Sequence, residues 1–163
     1  MNIIKNLTGR FTKGAVNSRK LIIVHHTASG NATLNSILRF FRLSNAVSIH
    51  YVVGREGEIV QMVDENNVAW HCGKSEWKGF TDINNCSIGI EVLSDGKSYT
   101  DAQRLAVKEL CLDIMERNNI IRFRVLRHAD VALPRGRKSD ISFPFYEKFN
   151  DWTGFQKSLI RDI

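Results

Sequence analysis

Between Arg127 and Asp140 the chain carries a histidine, a turn and a Lys-x-Asp triplet: His128, then Pro134 and Gly136, then Lys138 and Asp140. Proline and glycine this close together make the middle of the stretch a turn rather than a continued helix or strand. Such a turn folds the Lys138 and Asp140 end back toward His128. An imidazole, an ammonium and a carboxylate can then meet at one point. With one more ligand the set becomes that of a zinc hydrolase, in which three protein ligands leave a fourth position open.

His25 is the candidate for that ligand. It follows Leu21-Ile22-Ile23-Val24, an apolar, largely β-branched run of the kind found in strands buried on both faces. His128 follows a similar run, Ile121 to Leu126. A lone histidine at a strand end is ordinarily structural. Two in equivalent positions, one followed by Lys-x-Asp, favour His25, His128 and Asp140 as metal ligands on rigid supports. Glu91 sits in the apolar run Ile88-Gly89-Ile90-Glu91-Val92. It either alternates onto a solvent face or takes a proton from an attacking water and returns it to a leaving amine. Lys138 is either a surface cation or a stabiliser of the oxyanion of a tetrahedral intermediate. His50, Trp70 and His71 are candidates for the substrate wall, with His50 also able to orient a ligand. His26 should point away from His25, into a structural or supporting role. Cys72 beside His71 looks like half a metal site, but no second Cys/His pair has zinc-finger spacing.

The elements that would position these residues alternate between strand and helix. Leu21–Val24, Val47–Val53, Glu58–Val63, Cys86–Leu93 and Ile121–Leu126 read as strands, the second and third joined as a hairpin through Gly54-Arg55-Glu56-Gly57. Thr33–Leu43 has helical apolar spacing, with Thr33 as its cap. Thr100–Asn118 is a helix opened by a Thr100/Gln103 capping box, and a last helix is expected from about Thr153. Residues 1–20 read as an irregular lead-in and 21–163 as one catalytic domain. The fold class is α/β, a single mixed central sheet flanked by helices.

Composition is that of an ordinary globular chain: 163 residues, 43% hydrophobic and 25% charged. No apolar run approaches the ~20 residues of a membrane span, and the first twenty residues lack the apolar core of a signal peptide. Three cysteines at irregular spacing do not make a disulfide framework. The expectation is a monomer, cytoplasmic at synthesis and not inserted in a membrane. The net charge of +6 favours polyanions, yet no helix-turn-helix or RNA-binding motif points to nucleic acid.

The ordered pieces resemble the zinc-dependent N-acetylmuramoyl-L-alanine amidases of the type-2 family: Ile-Val-His25-His26-Thr-Ala, Val-Ser-Ile-His50-Tyr, Ala-Trp70-His71-Cys-Gly, Ser-Ile-Gly-Ile-Glu91, Arg-His128 and Lys138-Ser-Asp140. The resemblance covers Leu21 to about Phe149. It implies hydrolysis of the amide between muramic acid and L-alanine, Zn²⁺ on His25, His128 and Asp140, and Glu91 and Lys138 as catalytic groups. Many phage relatives have a tyrosine one residue before the strand histidine. That position is Ile49 here, which leaves the role to Glu91. The Lys138-x-Asp140 ending looks most like the anhydro-muramoyl branch, whereas the charge favours the anionic cell wall. The resulting expectation is a phage-type endolysin acting on peptidoglycan and released to the wall through a holin. The alternatives are a cytoplasmic amidase recycling anhydro-muropeptides and an inactive peptidoglycan-binding module.

Overall fold

The computed structural model describes residues 1–139, 141, 145, 149 and 151–160. Its centre is a six-stranded mixed sheet. In chain order the strands and helices are β1 (Ile3–Lys5), β2 (Thr12–Val16), β3 (Leu21–His26), α1 (Leu34–Leu43), β4 (Tyr51–Val53) and β5 (Ile59–Gln61). There follow β6 (Asn67–Val68), β7 (Glu76–Trp77), β8 (Phe80–Thr81), β9 (Ser87–Val92) and α2 (Asp101–Asn118). The chain continues through β10 (Val125–Arg127), α3 (His128–Val131) and α4 (Trp152–Ser158). The sheet order is β1-β5-β4-β9-β3-β10. Only the β4–β5 hairpin pairs antiparallel within it.

Side chains alternate between the sheet's two covered faces, which is why the central strands are largely apolar. Ile22, Val24, Ile88, Ile90 and Val92 face α2 and α4, packing with Val107, Leu110, Ile114 and Phe155. Val52 and Val60 turn the other way onto Ile37, Leu38 and Phe41 of α1. Leu21, Ile23 and Leu126 pack with Cys72, Ile83 and Val131. Full burial of one such aliphatic side chain is worth ~1.5–3 kcal/mol.

Both helix starts behave as their sequences predict. The Thr33 hydroxyl accepts from the Ser36 amide at 3.2 Å. Thr100 and Gln103 form the reciprocal box, at 3.1 and 3.0 Å. Asn119 closes α2 in the left-handed region, with φ 51°.

Four details differ from the sequence reading. Residues 1–20, expected to be irregular, supply β1, a parallel neighbour of β5, and β2, which pairs with β6. The Val47–Val53 strand is reduced to Tyr51–Val53, because the His50 carbonyl accepts from both Met62 and Val63 while Ser48 bonds to Trp70. The last sheet strand begins only at Val125, since Arg122–Arg124 form a single 3-10 turn. Residues 64–78, to which the sequence reading assigned no strand, contain β6 and β7. Cys72, Cys86 and Cys111 are all buried free thiols. Among the described residues no helix is long and apolar enough to cross a membrane.

Candidate active site

Parallel pairing of β3 with β9 brings the chemistry together. Leu21, Ile23 and His25 lie opposite Ser87, Gly89 and Glu91. With a side-chain period of two, Ser87, Gly89 and Glu91 share one face of β9, and His25 lies beside Glu91. The Ser-x-Gly-x-Glu spacing thus follows from strand geometry. Gly89 is required by space: a Cβ there would stand 2.6 Å from Ile49 Cδ1 and 2.7 Å from His71 Cγ. The His71 ring occupies the room that glycine leaves.

On the other flank β10 runs parallel to β3 and passes straight into α3, which starts at His128. Asp130 holds this junction by accepting from the Arg127 amide at 2.9 Å and from its guanidinium at 2.6 Å. His25 Nδ1 and His128 Nδ1 face each other at 3.0 Å. The 132–138 loop is pinned back by Arg137, which donates to the carbonyls of Leu133, Cys72 and Lys74 at 2.8, 3.0 and 3.1 Å.

A cavity of about 420 Å³ opens above these groups. His25, His128, Glu91, Lys138, Trp70 and His71 all line it, with Ile37, Phe40, Phe41 and Val47 as an apolar wall. Seven of the eight residues singled out from sequence therefore fall within the described structure, and six of them meet here. His50 stands one layer behind, fully buried. Its Nδ1 accepts from the Gly89 amide at 3.0 Å, and its Nε2 donates to the Asn67 carbonyl at 3.0 Å. Burial holds its pKa down at about 4, so it is a neutral structural ring and not part of the cavity wall. Asp140 lies outside the described residues. His26 turns away from His25 as expected, bonding Tyr99 at 2.9 Å.

Two donor sets share His25. On one side is His128, whose Nε2 donates to the Cys72 carbonyl at 3.0 Å, so that Nδ1 is the nitrogen that could hold a metal. On the other, His25 Nε2 is 3.0 Å from His71 Nδ1, which is 3.2 Å from Cys72 Sγ. His25, His71 and Cys72 thereby form a second possible ligand group. Burial and the neighbouring imidazoles of His25, His50 and His128 hold His71 well below its ordinary pKa. Two nitrogens on one tetrahedral zinc stand about 3.3 Å apart, so the 3.0 Å separation of the two Nδ1 atoms fits a shared ion. The side with His128 also opens to the cavity that Glu91 and Lys138 line.

Sequence reasoning missed the supporting parts. Asn84 Oδ1 accepts from the amides of His71 and Cys72 at 3.0 and 2.8 Å, fixing that loop. Ser87 reaches His71 Nε2 at 3.2 Å. The alternation of Ser87, Gly89 and Glu91 was the available signal.

The sequence profile of the Amidase_2 family, N-acetylmuramoyl-L-alanine amidase, matches residues 15–142. This chain belongs to that amidase family. Among curated relatives of this chain, the N-acetylmuramoyl-L-alanine amidase AmiD of Escherichia coli K12 is 33% identical over 161 residues, covering 86% of this chain and 55% of AmiD. The 1,6-anhydro-N-acetylmuramyl-L-alanine amidase AmpD of Haemophilus influenzae is 37% identical over 115 residues, 69% of this chain and 59% of AmpD. This chain thus spans a little over half the length of these relatives. A crystal structure of an AmpD derivative superposes with a TM-score of 0.77 at 26% identity, covering 98% of this chain and 94% of that one. AmiD from E. coli, solved with anhydro-N-acetylmuramic acid-L-Ala-D-γ-Glu-L-Lys, superposes with a TM-score of 0.75 at 30% identity, over 94% of this chain and 62% of that one.

Proposed function

We propose that this chain is a zinc amidase that hydrolyses the bond between the lactyl group of anhydro-N-acetylmuramic acid and L-alanine in soluble muropeptides. The observation that carries the reading is the pair of Nδ1 atoms 3.0 Å apart at the floor of the cavity that Glu91 and Lys138 also line. His25 and His128 would hold the ion, with Asp140 as the third ligand on the strength of its place two residues after Lys138. Zinc supplies Lewis-acid polarisation and a lowered pKa for water at the site.

The chain's own residues account for the rest. Glu91 takes the proton of the attacking water and delivers it to the departing amine of L-alanine. Lys138 places positive charge beside the oxygen that becomes anionic as the carbonyl turns tetrahedral. The wall of Ile37, Phe40, Phe41, Val47 and Trp70 seats apolar parts of the substrate and keeps bulk water from the bond. The presence of both Glu91 and Lys138 in the cavity favours an enzyme over an inactive binding module.

The names of the similar AmpD proteins and the ligand of the AmiD complex favour anhydro-muropeptides. They support the recycling branch better than the endolysin expected from charge. The net charge of +6 is the one observation favouring attack on polymeric wall. A solved mutant endolysin from Bacillus subtilis shares the fold at 23% identity, a likeness of fold alone. Incubation of the zinc-loaded protein with an anhydro-muropeptide and with intact peptidoglycan, in parallel, separates the readings by product mass. Release of the free anhydro-sugar from the soluble substrate is expected. Cleavage of intact peptidoglycan alone would turn the reading to wall lysis, and no cleavage of either would remove the amidase.

A further inference from the structure

The geometry points to Ser87 and His71 as positioning residues that set the tautomer of His25 and so direct the metal to its His128 side. This rests on the zinc reading proposed above.

The direction of each hydrogen bond follows from chain chemistry. Ser87 Oγ lies 2.6 Å from the Ile83 carbonyl, which can only accept, so the hydroxyl proton points there. Toward His71 Nε2, 3.2 Å away, the same oxygen must then accept, and that nitrogen carries a proton. A neutral imidazole has one N–H, so His71 Nδ1 is an acceptor. Of the two groups beside it, the Cys72 thiol at 3.2 Å is the weak donor and His25 Nε2 at 3.0 Å the strong one, so His25 Nε2 is the donor. The His25 proton is thereby fixed on Nε2, and its coordinating nitrogen is Nδ1, the atom that faces His128 Nδ1 at 3.0 Å. The four-residue set Ile83, Ser87, His71 and His25 forms one directed chain, anchored at its far end on a backbone carbonyl.

The structure supports the chain mechanically as well. Ser87 is fully buried, and its own carbonyl accepts from Asn17 Nδ2 at 2.7 Å. Asn84 holds the His71 backbone, and the absence of a side chain at Gly89 admits the ring. The competing group of His25, His71 and Cys72 needs His25 Nε2 as a ligand. The relay fills that nitrogen with a proton, which excludes the buried thiol side. Supporting groups of this kind typically alter metal affinity by ~10–100-fold.

The test measures zinc affinity by chelator competition, independently of turnover. Ser87→Ala should weaken zinc by ~10–100-fold, with the metal-free protein melting near the wild-type temperature. Ser87→Thr, which keeps the hydroxyl, should restore most of the affinity. A second pair covers the chance that position 87 is intolerant: His71→Asn places an acceptor oxygen near the site of Nδ1 and should hold zinc better than His71→Leu. Wild-type affinity in a folded Ser87→Ala, or equal affinity in the two His71 variants, would overturn the relay while leaving the site intact. Cobalt substitution of the wild type separates failure of the site itself. No thiolate-to-cobalt charge-transfer band is expected, and its appearance would place the metal on Cys72 and overturn both.

Discussion

His50 makes a quantitative prediction about acid stability. Its ring is fully buried, its Nδ1 accepts from the Gly89 amide, and a proton added there would face another donor. Burial lowers its pKa from 6.5 to about 4, against smaller opposing effects of the Asn67 bond and the Glu65 and Asp64 charges. Between those two values the unfolded chain binds a proton that the folded chain refuses. Stability therefore rises with pH across this window and is lost as pH falls from 6.5 to about 4. Each pH unit is worth about 1.4 kcal/mol, so the full interval amounts to about 3 kcal/mol. Urea unfolding from pH 7 to 4, with excess chelator to remove metal, measures it in wild type and in His50→Gln. The variant is less stable at neutral pH because it loses ring contacts, but its stability should fall less on acidification, by about 3 kcal/mol. Parallel curves for the two proteins would refute the assignment of a buried neutral ring at position 50.

Glu91→Gln should bind zinc and melt like the wild type while losing ~10²–10⁴-fold in turnover, the range for a lost general acid/base. Near-normal turnover of the anhydro-muropeptide would move proton transfer to another group. His128→Ala should lose both zinc, read by metal analysis of the purified protein, and activity. Gly89→Ala drives a methyl into Ile49 and His71 and should cost ~1–3 kcal/mol of stability, read by denaturant unfolding, together with zinc affinity. Thr100→Ala removes the α2 cap and should cost ~0.5–2 kcal/mol with no change in zinc binding.

The parts of this fold legible in sequence are those where burial on both faces leaves a continuous apolar signal. Leu21-Ile22-Ile23-Val24 and Ile88-Gly89-Ile90 announce β3 and β9, and the Thr100/Gln103 pair marks the start of α2. The edge elements carry no such signal. β1 and β2 are mostly exposed, and β1 is held by pairing with β5, some fifty residues on, which local pattern cannot reveal. The same limit applied to the site. Histidines at strand ends pointed to His25 and His128, an odd carboxylate in an apolar run pointed to Glu91, and all three line one cavity. His50 carries the same side chain with the opposite fate, because its partners are backbone groups supplied by other strands. The directed chain through Ser87 depends on a carbonyl at Ile83, and a carbonyl has no residue type to recognise.

The two facing imidazole nitrogens are 103 residues apart in the chain, and their meeting depends on β10 docking parallel to β3. Parallel pairing across such a separation carries a large loop-closure cost and tends to come late in folding. A chain still being synthesised has His25 long before His128, so neither collapse of the first half nor formation of the β4–β5 hairpin creates the His25–His128 pair. On the zinc reading, metal capture by this pair would report that the sheet is complete. It would become possible only once the last sheet strand is home, and a bound ion would then resist the opening of that same edge.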